Sequence, residues 1–307
     1  MKFYDCFVFY NELDLLKIRL ETYFDVVDYF VICECSKTQK GEDKPLFFEE
    51  NKHLFEKFSS KIIHLVADNP PKVDFSIKED WGIEYYQRNY LKNGLKNANP
   101  EDVILLCDVD EFYAPELVQS IKNNTKIPLS VNLRRNGRKK LPITMIKLGF
   151  NYIRKLLVHG IYDCLKVSPI CFESDFFNYY MNYRWSKEKW RGIVFFLYKN
   201  LDTMQDIRNY RKKFPYLKRI NHPIGWHFSY LGGKEVIKRK LASIVEGGST
   251  TKTDNIDNLI DDCIKNGKSL YSWKYIQNNK LELIEPADIG FPNIEKLQKQ
   301  YPDFFLN

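Results

Sequence analysis

The segment of this chain best equipped for chemistry is Ile104-Leu105-Leu106-Cys107-Asp108-Val109-Asp110-Glu111. Two carboxylates, one residue apart, follow directly on an apolar run. In an extended turn residues i and i+2 face the same side, so Asp108 and Asp110 can converge on one cation. Hard divalent ions such as Mn2+ or Mg2+ take oxygen ligands of this kind and keep positions open for water and phosphate oxygens. A nucleoside diphosphate leaving group gathers negative charge as its bond breaks, and a bound cation neutralises it. The competing reading is a solvated acidic turn in which Asp110 caps the next helix. Placement favours the chemical reading, because Val103–Cys107 is the fourth in a series of strand-like runs.

Several other residues have types and positions suited to the same task. His227, between Trp226 and Phe228, offers an imidazole that suits manganese or a phosphate oxygen; a half-buried histidine in an aromatic strand is the plain alternative. Glu84, Gln87, Arg88 and Leu91 share one helical face, and the Arg88 guanidinium can grip a diphosphate in two-pronged fashion or simply pair with Glu84. Glu34 follows the second strand-like run and is placed to bond ribose hydroxyls or a base. Asn11 and Glu12 follow the first, where Asn11 reads equally as a helix N-cap. Lys37 and Lys44 lie in a loop positioned to cover phosphates.

The elements that must hold these residues alternate. Phe3–Tyr10, Val26–Cys33, Ile62–Val66 and Val103–Cys107 read as buried strands, with helical patterns over Leu13–Phe24 and about 49–58 and 81–98 between them. Strands that are apolar throughout and separated by helices predict an α/β fold with a mostly parallel central sheet flanked by helices. Such a sheet places its site beyond the carboxyl ends of its strands. No GxGxxG and no GxxxxGK[ST] follows any of them, which disfavours an ordinary dinucleotide fold and a P-loop. The expected division is a nucleotide-sugar half over 1–125 and an acceptor half of the same domain over 126–307. In the second half, aromatic runs at Phe176–Trp185 and Ile193–Tyr198 read as strands, and Glu235–Glu246 and Asn255–Asn266 as closing helices.

Composition narrows the class further. The 307 residues are 44% hydrophobic and 28% charged, enough for a sizeable core. Lys and Arg number 47 against 40 Asp and Glu, a net charge of +7. The excess is concentrated, since ten basic residues and no acid lie between Glu116 and Asp163, and the remainder is slightly acidic. That pattern argues against a general nucleic-acid partner. Within the basic segment, Ile143–Tyr162 is amphipathic, in the style of an interfacial helix or of an ordinary helix on a core. Seven cysteines, several in apolar runs, fit buried thiols in a reducing compartment and not a zinc site. No secretory signal or bilayer-length apolar run is visible, so the expected location is cytoplasmic, with the basic segment offering a peripheral membrane contact.

Taken together, Tyr4-Asp5-Cys6-Phe7, Asn11 to Leu16, Val27 to Glu34, Lys44-Pro45-Leu46-Phe47-Phe48, Gln87-Arg88-Asn89, Asp108 to Glu111, Trp190-Arg191-Gly192 and Gly225 to Tyr230 resemble the family-17 glycosyltransferases. The resemblance implies a GT-A-like fold, a UDP-sugar donor (UDP-GlcNAc by family precedent), a divalent metal, usually manganese, and an inverting mechanism. The expected metal ligands are therefore Asp108, Asp110 and His227, and the positions of Asn11, Glu34, Lys37, Arg88 and Asp108 put them at the nucleotide. The basic stretch at about 129–170 stands as an insertion relative to the family. An inverting transfer also needs a carboxylate base on the acceptor hydroxyl. Glu173, Asp175, Glu235 and Glu246 are the candidates, with Asp175 beside Phe176-Phe177 and Glu235 foremost, and Trp185, Trp190 and Trp226 are placed to stack on acceptor sugar. The expected function is therefore a metal-dependent transfer of a sugar, GlcNAc by precedent, from UDP-sugar to a glycan. A hydrolase using the same clustered carboxylates and a non-catalytic basic protein binding membrane or RNA are the rivals.

Overall fold

A computed structural model describes residues 1–74, 76, 79–123, 125–132, 143–212, 216–219, 222–245, 255–270 and 279–306. Arg134, Arg135, Arg138, Lys139, Lys140 and Glu246 lie outside these residues. The larger sheet runs in the order β3 (Ile62–Ala67), β2 (Tyr29–Cys35), β1 (Phe3–Val8), β4 (Val103–Asp108), β10 (Val194–Leu197), β7 (Ile170–Phe172), β11 (Tyr216–Arg219) and β6 (Leu129–Asn132). A smaller sheet runs β13 (Leu281–Leu283), β9 (Tyr183–Trp190), β8 (Ser174–Asn178), β12 (Gly225–Ser229) and β5 (Glu111–Tyr113).

The first four strands of the larger sheet pair in parallel, as their uninterrupted apolar character predicts. Both of their faces are covered. Val103, Leu105 and Cys107 of β4 join one core cluster, whereas Ile104 and Leu106 join another on the opposite side. A two-residue alternation thus persists inside a sequence that looks uniformly apolar. Beyond β4 the expectation of a mostly parallel sheet gives way to a mixed one. β10 runs antiparallel to both β4 and β7, and β11 antiparallel to β6. The cause is connectivity, because this part of the sheet is not assembled from successive strand–helix–strand crossovers.

Helices α1 (Leu13–Tyr23), α2 (Phe47–Asn51), α3 (Gly82–Tyr90) and α4 (Pro115–Lys122) accompany the parallel strands. The basic segment contributes α5 (Ile143–Val158), on which Phe150 is exposed, and α6 (Ile161–Leu165). They are followed by α7 (Met204–Arg208), α8 (Gly233–Ser243), α9 (Ile256–Lys265) and α10 (Ile294–Gln300). The aromatic run Phe176–Trp185, expected as a single strand, is two antiparallel strands that turn at Tyr179, whose φ of 67° is left-handed. The predicted N-cap at Asn11 is also displaced. Glu12 stands at that position, and its Oε2 accepts the backbone N–H groups of Tyr10 and Asn11 at 3.3 and 3.0 Å. All seven cysteines are buried free thiols. Among the described residues no helix is long and apolar enough to cross a membrane.

Parallel register sets the stage for the site. Val8 of β1 lies beside Cys33 of β2 on one side and Asp108 of β4 on the other, so the segments that follow these strands start from one level. The acidic turn then passes directly into β5, so the sequence that ends one sheet begins the other. Asp110 does not cap the next helix, since α4 starts after Ala114.

Candidate active site

The turn from Asp108 to Glu111 is fixed from below by buried arginines. Arg19, on α1 and fully enclosed, grips Asp5 through Nε and Nη2 at 2.8 and 2.6 Å, and its Nη1 donates to the Glu111 carbonyl at 2.7 Å. Arg208, at the end of α7, donates to both oxygens of the Glu111 carboxylate at 2.6 and 2.7 Å and to Asp108 Oδ2 at 2.6 Å. It also bonds the Gly192 carbonyl. Glu111 Oε2 in turn accepts the Asp108 amide at 2.9 Å, and the Trp190 indole N–H donates to Oε1. The carboxylate presses so closely on the chain that a Cβ at Gly192 would stand 1.9 Å from Glu111 Oε1, which only glycine avoids.

Above this platform the two aspartates face different cations. Arg88 Nη2 reaches Asp108 Oδ1 at 3.3 Å while bonding Glu84 at 2.6 Å, so the helical pair and the reach to the acidic turn coexist. Asp110 has Lys240 Nζ at 2.9 Å on Oδ2 and His227 Nε2 at 3.5 Å from Oδ1. Burial pushes both carboxyls up, but their cationic neighbours more than offset it. Arg208 and Arg88 hold Asp108 below its ordinary value, and Lys240 with His227 hold Asp110 well below. Both are ionised at neutral pH.

These groups open into a cleft of about 260 Å3. Its lining includes the cations Lys37, Lys44, Arg88 and Arg211 and the rings of Trp81, Phe176, Trp185, Trp190 and Tyr230, and the two sets interleave, with the Arg211 guanidinium 5.8 Å from the centre of the Trp190 ring. Burial lowers the Lys44 pKa, and burial together with the Arg208 charge lowers that of Arg211. His227 stacks on Phe176 at 4.9 Å between ring centroids and lies 4.3 Å from Trp190. Its Nδ1 is buried and has no hydrogen-bond partner among the described residues.

Asp108, Asp110, Arg88, Lys37 and His227 are thus brought together, whereas other expected site residues stand elsewhere. Glu34 is fully buried, where its carboxylate accepts the Phe48 and Glu49 amides at 3.0 Å each and meets His64 Nε2 at 2.8 Å. It caps the start of α2 and does not line the cleft. Asn11 is also absent from the lining, although its neighbour Glu12 is present. Asp175 lies on the opposite side of β8 from the cleft-lining Phe176 and pairs with Lys189 and, at 3.5 Å, Arg184. Glu235 projects from α8 into solvent with Lys238 at 2.5 Å. Trp226 is buried in the core and donates to the Ile289 carbonyl at 2.7 Å, so Trp185 and Trp190 alone of the three predicted stacking residues reach the cleft. Trp81, Arg208, Arg211 and Lys240 went unrecognised in the sequence.

The placement of Glu34 carries a prediction. Glu34→Ala strips the acceptor from two amides at the start of α2, at a cost of about 2–4 kcal/mol of stability. Because Glu34 lies off the cleft, affinity for a cleft ligand should not move. Chemical denaturation and ligand titration check both halves, and a selective loss of ligand affinity would return Glu34 to the site.

Residues 1–137, a little under half of the chain, match the family model of glycosyltransferase family 17. The resemblance read from the sequence therefore holds over the segment that carries β1 to β6, Arg88 and the acidic turn. Human and mouse proteins named beta-1,4-mannosyl-glycoprotein 4-beta-N-acetylglucosaminyltransferase are similar at 34% and 33% identity over 118 residues. That alignment takes in 36% of this chain and only 22% of the length of those relatives. Lys240, Arg208 and His227 lie beyond the matched segment.

Proposed function

We propose that this protein is a metal-dependent, inverting glycosyltransferase of GT-A-like architecture that moves a sugar, GlcNAc, from UDP-sugar to a glycan or glycoconjugate acceptor. The observation that carries the reading is one cleft at the carboxyl ends of parallel strands, lined by two ionised aspartates, by cations and by aromatic rings. The names of the similar proteins support N-acetylglucosamine as the sugar, and the UDP carrier is the donor proposed for it.

Among the described residues no group of three or more His, Cys, Asp or Glu stands together as a metal site. Asp110 with His227 supplies two donors of the kind a divalent cation takes, leaving its other positions to phosphate oxygens and water. A carboxylate oxygen and an imidazole nitrogen 3.5 Å apart have a separation that two ligands of one small ion can take, and the O/N donor set suits Mn2+ or Mg2+. Asp110 and His227 would hold the ion, which when bound supplies charge neutralisation for the departing diphosphate. Asp108, expected to share the ion, is instead engaged by Arg88, which lines the cleft, and by the enclosed Arg208 beneath it. Arg88, Arg211, Lys37 and Lys44 bind phosphate oxygens, with the guanidinium groups offering paired donors. Trp185, Trp190 and Tyr230 present ring faces and edges to sugar.

The test is turnover of UDP-GlcNAc with Mn2+, with and without mannose-terminated glycans, following both UDP release and the labelled glycan. Transfer that depends on acceptor is expected. UDP release that is indifferent to acceptor would favour the hydrolase reading, and no turnover of any nucleotide sugar would overturn the assignment.

A further inference from the structure

Lys240 is the nearest cation to Asp110, yet the transfer chemistry assigns it nothing. Its ammonium is 2.9 Å from Asp110 Oδ2 and 5.3 Å from the centre of the Tyr230 ring. The placement is built into the backbone. From the end of β12 into the first residue of α8 the chain passes through three left-handed residues, Tyr230, Gly232 and Gly233, with φ of 61°, 104° and 82°. Only the glycines take that conformation freely. The far end of α8 is tied to the loop after β2, where Lys40 Nζ donates to the Leu241 carbonyl at 3.2 Å and Gln39 Oε1 accepts the Val245 amide at 3.0 Å. The helix therefore holds its ammonium against one oxygen of Asp110, while the other oxygen faces His227. A divalent ion on Asp110 and His227 would meet a like charge at close range in a cleft partly shielded from water.

We propose that Lys240 makes cation binding at Asp110 conditional on the diphosphate. In the free cleft the ammonium neutralises Asp110. A nucleoside diphosphate brings negative charge, draws the ammonium to its own oxygens and releases the carboxylate to a divalent ion. Lys240 is thus an internal counter-ion that exchanges partners, and nucleotide and metal bind cooperatively, each raising the other's affinity by the same factor. The inference rests on the reading of the cleft as a nucleotide-sugar site.

The test is binding alone. Free Mn2+ is followed by electron paramagnetic resonance as it is titrated into the whole chain, without and with UDP, for wild type, Lys240→Met and the charge-conserving Lys240→Arg. Without UDP, Lys240→Met should bind Mn2+ about ten-fold more tightly than wild type, a coupling of ordinary size, with Lys240→Arg beside wild type. UDP should then raise the affinity of wild type by a larger factor than that of Lys240→Met. Lys240→Gln gives the same readout should the methionine variant fail to fold. Equal Mn2+ affinities in nucleotide-free wild type and Lys240→Met, or no Mn2+ binding by any variant, overturn the inference while leaving UDP binding to stand separately. If UDP changes nothing in any variant, the nucleotide reading falls and the conditional exchange falls with it, even where the nucleotide-free difference survives.

Discussion

Asp110→Asn is expected to cut sugar transfer by at least about 10²–10³-fold while the chain remains folded, the size of loss seen when one preorganised electrostatic contact to a developing charge is removed. The amide keeps the shape of the carboxylate but not its charge, so it is a poor partner for a divalent ion and for Lys240 alike. The stability cost is set by the Lys240 pair, at 2.9 Å with the lysine side chain 22% exposed. That lies between an exposed ion pair, worth about 0–1 kcal/mol, and a fully enclosed one, and a loss of about 1–2 kcal/mol is expected. Turnover, nucleotide binding and a denaturation curve on the same preparation separate these effects. Transfer that survives at more than a tenth of the wild-type rate removes Asp110 from the chemistry.

The same residue sets a pH dependence. Burial opposes ionisation of Asp110, but Lys240 and His227 bring its folded-state pKa well below the ordinary carboxyl value. A carboxyl with a lowered folded-state pKa stabilises the fold above its unfolded value of about 4, and that contribution disappears as pH falls below it. The difference in stability between wild type and Asp110→Asn should therefore shrink from pH 6 to pH 3.

Much of this site was legible because it is local. The apolar run, the turn and the two aspartates lie within nine consecutive residues, and the alternation of strand and helix before them gives the parallel sheet that presents them. What escaped arrives from far along the chain. Lys240 meets Asp110 across 130 residues and Arg208 meets Glu111 across 97, and nothing in a basic helix distinguishes a lysine aimed at a carboxylate from one in water. Glu34 satisfied the rule that sites lie beyond strand ends, but a nearer demand, two bare amides at the start of α2, claimed its carboxylate. Trp226 and Asp175 failed for a reason that was legible. On a strand, neighbours point to opposite faces, so if His227 faces the cleft then Trp226 turns to the core, and if Phe176 lines it then Asp175 turns away.

Arg208→Met should produce the largest loss of stability of any substitution considered, and a loss of activity with it. The guanidinium is fully enclosed and joins both oxygens of a fully enclosed Glu111 to Asp108 and to the Gly192 carbonyl. Removing it leaves Glu111 charged and buried, with the Asp108 amide and the Trp190 indole as donors. Breaking one side of such a pair costs about 3–5 kcal/mol. Arg208→Lys keeps the charge but cannot reach two carboxylates and a carbonyl at once, so an intermediate loss is expected. The double variant Arg208→Met/Glu111→Leu supplies the internal control. With no carboxylate left at position 111, the pair of changes should cost at least about 1 kcal/mol less than the sum of the single ones, since contacting residues couple by amounts of this order. Strict additivity in denaturant unfolding would mean that the two residues stabilise the fold independently. The clamp beneath the acidic turn would then be no clamp, and the fixed geometry of Asp108 and Asp110 would need another source.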